Sequence, residues 1–172
     1  IAHRFEESAE YYVRITDRAD RGGKGFGYLL RLGRLPYLKR VFPLGVQRGT
    51  SARAEVEGYN LGNLSEVDLN GHRPARSDGT LPLRIDTALG PTINSLKTTI
   101  GPFQDLLEQE PNNDDSASQK VSFTTTINGI LGSPGDRDFF RFRARRGEVL
   151  AFEVLARRLG SFLDLSLIHI SE

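Results

Sequence analysis

The chain has 172 residues, 38% of them hydrophobic and 26% charged, which is enough for one medium domain or two small ones. It contains no Cys, so disulfides and thiolate metal sites are excluded, and its formal net charge of +1 leaves no global field to draw it to nucleic acid or an anionic membrane. No apolar stretch approaches the roughly 20 residues that a membrane-spanning helix needs, and the lack of any Met leads us to expect that Ile1 is an internal position of a longer protein, with any secretion signal upstream.

In chain order, the hydrophobic period is two almost everywhere. Tyr11, Val13 and Ile15 alternate with Tyr12, Arg14 and Thr16, and Phe26, Tyr28, Leu30 and Leu32 alternate with Gly27, Leu29 and Arg31. Between these runs, Gly22-Gly23-Lys24-Gly25-Phe26-Gly27 imitates a phosphate-cradling loop. A strand pattern rather than a helix follows it, so a hairpin loop is the expectation. Leu35-Pro36 closes this first pattern. Ala52, Ala54 and Val56 then alternate with Arg53, Glu55 and Glu57 as a third strand. Residues 93–107 carry a weak helical spacing, but Pro91 and Pro102 favour a linker. Further strands are expected at 121–123, 125–131, 139–144 and 149–156, separated by Gly, Pro, Asn and Asp clusters at sandwich-like spacing. The fold class is therefore all-β, built of antiparallel β-sandwiches.

One acidic region stands out chemically. Leu107-Glu108-Gln109-Glu110-Pro111-Asn112-Asn113-Asp114-Asp115 is followed by Gly135-Asp136-Arg137-Asp138-Phe139-Phe140, which supplies many carboxylate and amide oxygens over a short span. Hard cations such as calcium take six to eight oxygen ligands, so a calcium-braced β-module is one reading. A solvated acidic linker, with Asp136 and Asp138 as hairpin turn residues, is the other.

Two resemblances add to this reading. Val41-Phe42-Pro43-Leu44-Gly45-Val46-Gln47-Arg48-Gly49-Thr50, followed by Val56-Glu57-Gly58-Tyr59-Asn60-Leu61-Gly62, resembles the signature of IPT/TIG immunoglobulin-like domains. Gly58 and Asn60 are residue types that tolerate left-handed backbone at a tight reversal, and Leu61 can anchor the turn. Glu108-x-Glu110-Pro111-Asn112-Asn113, Ile127-x-Gly129-x-Leu131, Gly135-Asp136-x-Asp138-x-Phe140-x-Phe142, Arg146-Gly147-Glu148 and Leu163-Asp164 resemble the first half of a bacterial pre-peptidase C-terminal (PPC) domain, a jelly-roll-like sandwich. Tyr12-Val13-Arg14-Ile15-x-Asp17, with Gly25, Tyr28 and Leu30, resembles its last strands. The resemblances imply four parts: 1–35, the end of one PPC-like copy; 36–103, an IPT/TIG-like domain; 104–164, the start of a second copy; and 165–172, expected to be the in-frame translation of a sequencing adapter. The two flanking pieces are complementary halves, and an unpaired half leaves edges and apolar faces exposed. The PPC resemblance further implies a calcium site formed by Glu108, Glu110, Asn112, Asn113, Asp136 and Asp138. Asn113 departs from the acidic residue that binds more tightly, and Asp114 can substitute for it.

No catalytic constellation emerges. Arg137, Arg141, Arg143, Arg145 and Arg146 cluster, but Arg141 and Arg143 alternate with Phe140 and Phe142 as the outer face of a strand, so no nucleic-acid partner is expected. Asn63-Leu64-Ser65 fits a glycosylation triplet that is common by chance, and His3, His72 and Ser161 have no partner at a telling spacing. The expectation is a non-catalytic accessory, binding or spacer region of a modular secreted bacterial protein, extracellular or at the cell surface. Its partners would be other domains of the same protein or an extracellular polymer such as a collagen-like protein, polysaccharide or cell wall. The alternative is the accessory tail of a secreted peptidase or other hydrolase whose catalytic domain lies outside this sequence.

Overall fold

A computed structural model describes residues 3–163; the expected adapter-derived stretch 165–172 and Asp164 lie outside the described residues. Among the described residues there is no α-helix, and none is long and apolar enough to cross a membrane. The chain is all-β. Its strands in order are β1 (Tyr37–Phe42), β2 (Gly45–Gln47), β3 (Ser51–Tyr59), β4 (Glu66–Asn70), β5 (Thr80–Leu83), β6 (Asp86–Thr87), β7 (Gly90–Pro91) and β8 (Leu96–Gly101). They continue with β9 (Gln104–Leu107), β10 (Gln119–Lys120), β11 (Thr125–Asn128) and β12 (Phe140–Arg141), and a 3-10 turn at Arg157–Leu159 follows.

Strands β1, β3 and β4 form an antiparallel sheet in the order β1-β3-β4. Ala54 and Val56 of β3 point into the core while Arg53, Glu55 and Glu57 stay exposed, as period-two alternation requires. On the exposed face, Arg40 Nη2 approaches Glu57 Oε1 at 2.6 Å and Arg53 Nε approaches Glu66 Oε2 at 2.7 Å, cross-strand pairs worth a few tenths of a kcal/mol each. In β1 the register shifts between Leu38 and Arg40. That bulge at Lys39 brings Leu38 and Val41, three residues apart, onto the same buried face.

The second sheet runs β2-β8-β5, with β2 parallel and β5 antiparallel to the central β8. Pro82 is accommodated because β5 is an edge strand, where a missing N–H removes no ladder bond. Both three-stranded sheets contribute to one hydrophobic cluster: Leu38, Val41, Ala54, Val56 and Leu69 from the first, and Val46, Leu81, Leu83 and Ile100 from the second. Fully burying such a side chain stabilises the fold by about 1.5–3 kcal/mol.

The stretch 93–107, expected to be a linker, instead supplies β8 and β9. Its polar positions are satisfied inside the fold: the Thr98 hydroxyl donates to the Leu81 carbonyl at 3.1 Å, and Asn94 acts as a surrogate strand. Asn94 Oδ1 accepts from the Leu38 N–H and its Nδ2 donates to the Leu38 carbonyl, both at 2.8 Å. At the β3–β4 reversal, Asn60 adopts φ 57 and Leu61 is buried. Gly58 is required for space rather than for left-handed backbone, because a Cβ there would run into the Tyr37 carbonyl oxygen and the Leu61 side chain.

Other expectations differ from the structure for one shared reason, that a strand exists only where its N–H and C=O groups find a neighbour. Residues 11–15 and 26–32 pair with nothing among the described residues, and every position from 3 to 34 except Asp17 is exposed, Tyr12 to 86%. The glycine-rich loop makes a turn, with the Phe26 N–H donating to the Gly23 carbonyl at 3.0 Å, but joins no strands. The Val121 N–H extends the β10–β12 pairing by donating to the Arg141 carbonyl at 2.9 Å, but neither 121–123 nor 149–156 forms a strand, and the expected strands at 125–131 and 139–144 contract to β11 and β12. Nor is the pairing purely antiparallel, since β9 with β11 and β10 with β12 are both parallel. Phe123, Phe142 and Phe152 still gather, with successive ring centroids 5.5 Å apart.

Candidate metal centre

Parallel pairing of β9 with β11 sets Leu107 opposite Asn128, so the two strands end together and the residues just beyond them emerge side by side. The Glu108 N–H donates to the Asn128 carbonyl at 3.0 Å, and Glu108 Oε1 accepts from the Ile130 N–H at 2.5 Å. A Cβ at Gly129 would stand 2.5 Å from Glu108 Oε2 and 3.4 Å from Asp138 Oδ2. A side chain at 129 would therefore push the Glu108 carboxylate aside while leaving Asp138 at ordinary contact distance. Beneath them, Asn128 is a buried connector: its Oδ1 accepts from the Leu44 N–H and its Nδ2 donates to Asp105 Oδ1, each at 2.9 Å. Burial pushes the Asp105 carboxyl up, partly offset by that amide.

A third segment arrives from the start of β12, where the Phe139 N–H donates to the Asn112 carbonyl at 2.9 Å and holds Asp138 against the first two. Carboxylate oxygens of Glu108, Glu110 and Asp138 lie within 4.8 Å of one another. At that separation two negative charges repel by about 1 kcal/mol in a water-like dielectric and about 3 kcal/mol in a protein-like one. Burial pushes the Glu108 carboxyl up to about 6 despite the Ile130 N–H, and the charges of Asp138 and Glu110 add to the rise. Asp138 is raised as well, first by burial, which the hydrogen bond with Glu108 partly offsets, with the charges of Asp136 and Glu110 contributing.

Glu108 Oε2 and Asp138 Oδ1 are buried with no N–H or hydroxyl facing them, so a proton shared between the two carboxyls is what joins them, and both amide atoms of Asn112, which is 0% exposed, are buried without a hydrogen bond. An unmet buried polar atom costs about 1–3 kcal/mol; the oxygens among these are of the type that can face a cation, whereas the Asn112 NH2 is a donor that a cation leaves unmet.

The remaining residues of the expected set are placed differently. The Asn112 N–H donates to Glu110 Oε2 at 2.9 Å and so orients that carboxylate. Asp136 is engaged by backbone, its Oδ2 accepting from the Gly132 N–H at 2.6 Å and its Oδ1 from the Arg137 N–H at 2.9 Å. Asn113, with its amide nitrogen toward Asp136 Oδ1 at 2.5 Å, braces that loop. Asp114 turns into its own exposed loop, accepting from the Ser116 hydroxyl at 2.6 Å and the Ala117 N–H at 2.9 Å, which hold its carboxyl below the usual range. Sequence reasoning missed Asn128 and Asp105 altogether. It noted Gly129 only as a motif position, although a glycine at the end of a strand pattern signals a close approach.

The set is a group of hard oxygen donors, of the type that can hold a divalent cation. A comparison of the chain with family models, with curated proteins and with solved structures finds no match in any of the three.

Proposed function

We propose that this chain is a non-catalytic, calcium-braced accessory region of a larger secreted modular protein, whose tandem β-modules space or attach other domains at an extracellular surface. In this reading 36–103 is an immunoglobulin-like sandwich, flanked by the partial modules 1–35 and 104–164. The observation that carries it is the convergence of the Glu108, Glu110 and Asp138 carboxylates to within 4.8 Å of one another, with buried oxygens that no N–H or hydroxyl satisfies. Those three carboxylates would hold the ion, the Asn112 side chain supplies a further oxygen close by in sequence, and Asp136 adds negative charge to the loop that presents Asp138. The bound ion would supply the charge compensation that the carboxylates otherwise lack.

Thermal melts of the chain in excess EDTA and in millimolar calcium test the proposal. A ligand that binds only the folded state at 100 times its Kd adds about 2.7 kcal/mol, which raises the midpoint of a chain this size by about 5–10 °C. An unchanged midpoint at millimolar calcium overturns the reading.

A further inference from the structure

A second site lies on other elements. The pairing of Ser51 with Asn70 brings the β2–β3 turn against the loop that follows β4, and Arg48, Gly49, Gly71, His72, Arg73, Pro74, Ala75 and Arg76 line an open pocket of about 500 Å3 between them. Three arginines and a histidine therefore line one open, solvent-exposed concavity. Among the described residues, none of Arg48, Arg73 and Arg76 has a carboxylate within ion-pair distance. The nearest acid along the chain, Asp78, is turned to the Thr80 N–H at 3.0 Å and the Thr80 hydroxyl at 2.7 Å. It does not neutralise Arg76.

The backbone under these cations is fixed. The Arg48 N–H donates to the Gly101 carbonyl at 2.7 Å and the Arg76 N–H to the Thr80 carbonyl at 2.8 Å, while the His72 N–H donates to Asn70 Oδ1 at 2.9 Å. The two turns are bonded to each other, with the Gly49 N–H on the Gly71 carbonyl at 3.0 Å and the Gly71 N–H on the Thr50 carbonyl at 2.8 Å. A Cβ at Gly71 would collide with the Gln47 and Thr50 carbonyl oxygens, so the contact is backbone to backbone. Cations presented on a fixed frame lose less conformational entropy when they engage a ligand.

We infer that this pocket binds sulfate groups of an anionic polysaccharide. The planar guanidinium fork matches the edge of a tetrahedral oxyanion, and several such groups in one pocket suit a ligand with closely spaced charges. The lining has no Phe, Tyr or Trp on which an unpaired base could stack, which disfavours single-stranded nucleic acid. With a net charge of only +1 the attraction is local. The other basic strip, around Arg143 and Arg145, is less suited, because Glu148 Oε2 already accepts from the Arg145 N–H at 2.7 Å and adds a carboxylate there. The choice of polysaccharide rests on the extracellular reading above; the pocket itself does not depend on the calcium site.

The test is calorimetric titration of the whole chain with a heparin-derived oligosaccharide, in calcium and in EDTA. We expect saturable binding that is independent of calcium and weakens steeply between about 50 and 200 mM salt. Arg48→Ala, Arg73→Ala and Arg76→Ala each weaken it about 3- to 5-fold, and the triple variant weakens it about 50-fold at an unchanged thermal midpoint. An Arg143→Ala/Arg145→Ala double variant binds like the parent. The inference is overturned by absence of saturable binding, by equal affinity for the desulfated oligosaccharide, by tighter binding of a single-stranded oligonucleotide of equal charge, or by a loss that follows Arg143 and Arg145 instead. A chain that binds the oligosaccharide but does not respond to calcium refutes only the calcium reading.

Discussion

Replacing Glu108 with Gln produces opposite effects with and without calcium. Gln keeps an oxygen to accept from the Ile130 N–H, while its NH2 group removes the charge that repels Asp138 and Glu110. The Glu108 carboxyl moves from 4.5 to about 6 on folding, so the folded state binds its proton more tightly than the unfolded state does. The sign follows: without a cation, Glu108 favours folding at low pH, and that contribution is lost as pH rises from 4.5 through about 6. A shift of this size corresponds to about 2 kcal/mol, which solvent screening of a partly exposed group reduces to about 1 kcal/mol. Glu108→Gln should therefore raise stability in EDTA at pH 7.5 by about 1 kcal/mol, or about 2–4 °C in Tm, and flatten the pH dependence between 4.5 and 6. In millimolar calcium the order reverses, because the variant has lost a ligand and no longer gains from the ion. Circular dichroism melts across pH, with and without calcium, read both effects. A variant less stable than the parent in EDTA at pH 7.5, or one that keeps the full calcium response, refutes the reasoning.

Asn94→Ala removes both partners of the buried Leu38 backbone, and two unmet groups should lower stability by about 2–4 kcal/mol, seen in urea as a lower midpoint with an unchanged m-value. A loss below about 0.5 kcal/mol would show that water replaces the amide. Gly129→Ala drives a Cβ against the Glu108 carboxylate and toward Asp138, so stability in EDTA should fall by about 1–2 kcal/mol and the calcium-dependent midpoint shift should shrink to near zero. A full calcium response in Gly129→Ala would place the ion elsewhere.

Patterns that depend on one strand were legible in the sequence, and those that depend on two were not. Ala54 and Val56 alternate with charged residues, and β3 follows directly from that. In β1 the bulge at Lys39 breaks the period, so Leu38 and Val41 share a face that no strict alternation predicts. In β8 Thr98 shares the core-facing side with Ile100, and its burial depends on the Leu81 carbonyl one strand away. The converse holds for Tyr11, Val13 and Ile15, which carry a good alternating pattern yet pair with nothing among the described residues. The candidate site divides in the same way. Glu108, Glu110 and Asp138 are conspicuous by residue type, whereas the service of Asn128 and Gly129 depends on the parallel register of β9 and β11, which sequence alone does not encode locally.

The three carboxylates also have a topological consequence. Glu108 and Asp138 lie side by side at the two ends of a loop of about 30 residues, which contains only the short strands β10 and β11. Closing a loop of that length costs roughly 3 kcal/mol of chain entropy. Any ligand joining its ends therefore acts as a reversible crosslink, comparable to a disulfide in a chain without cysteine. Susceptibility of residues 111–137 to proteolysis should then follow occupancy of the site, so that removing the ion exposes this segment to cleavage while the two-sheet core of residues 37–101 stays intact.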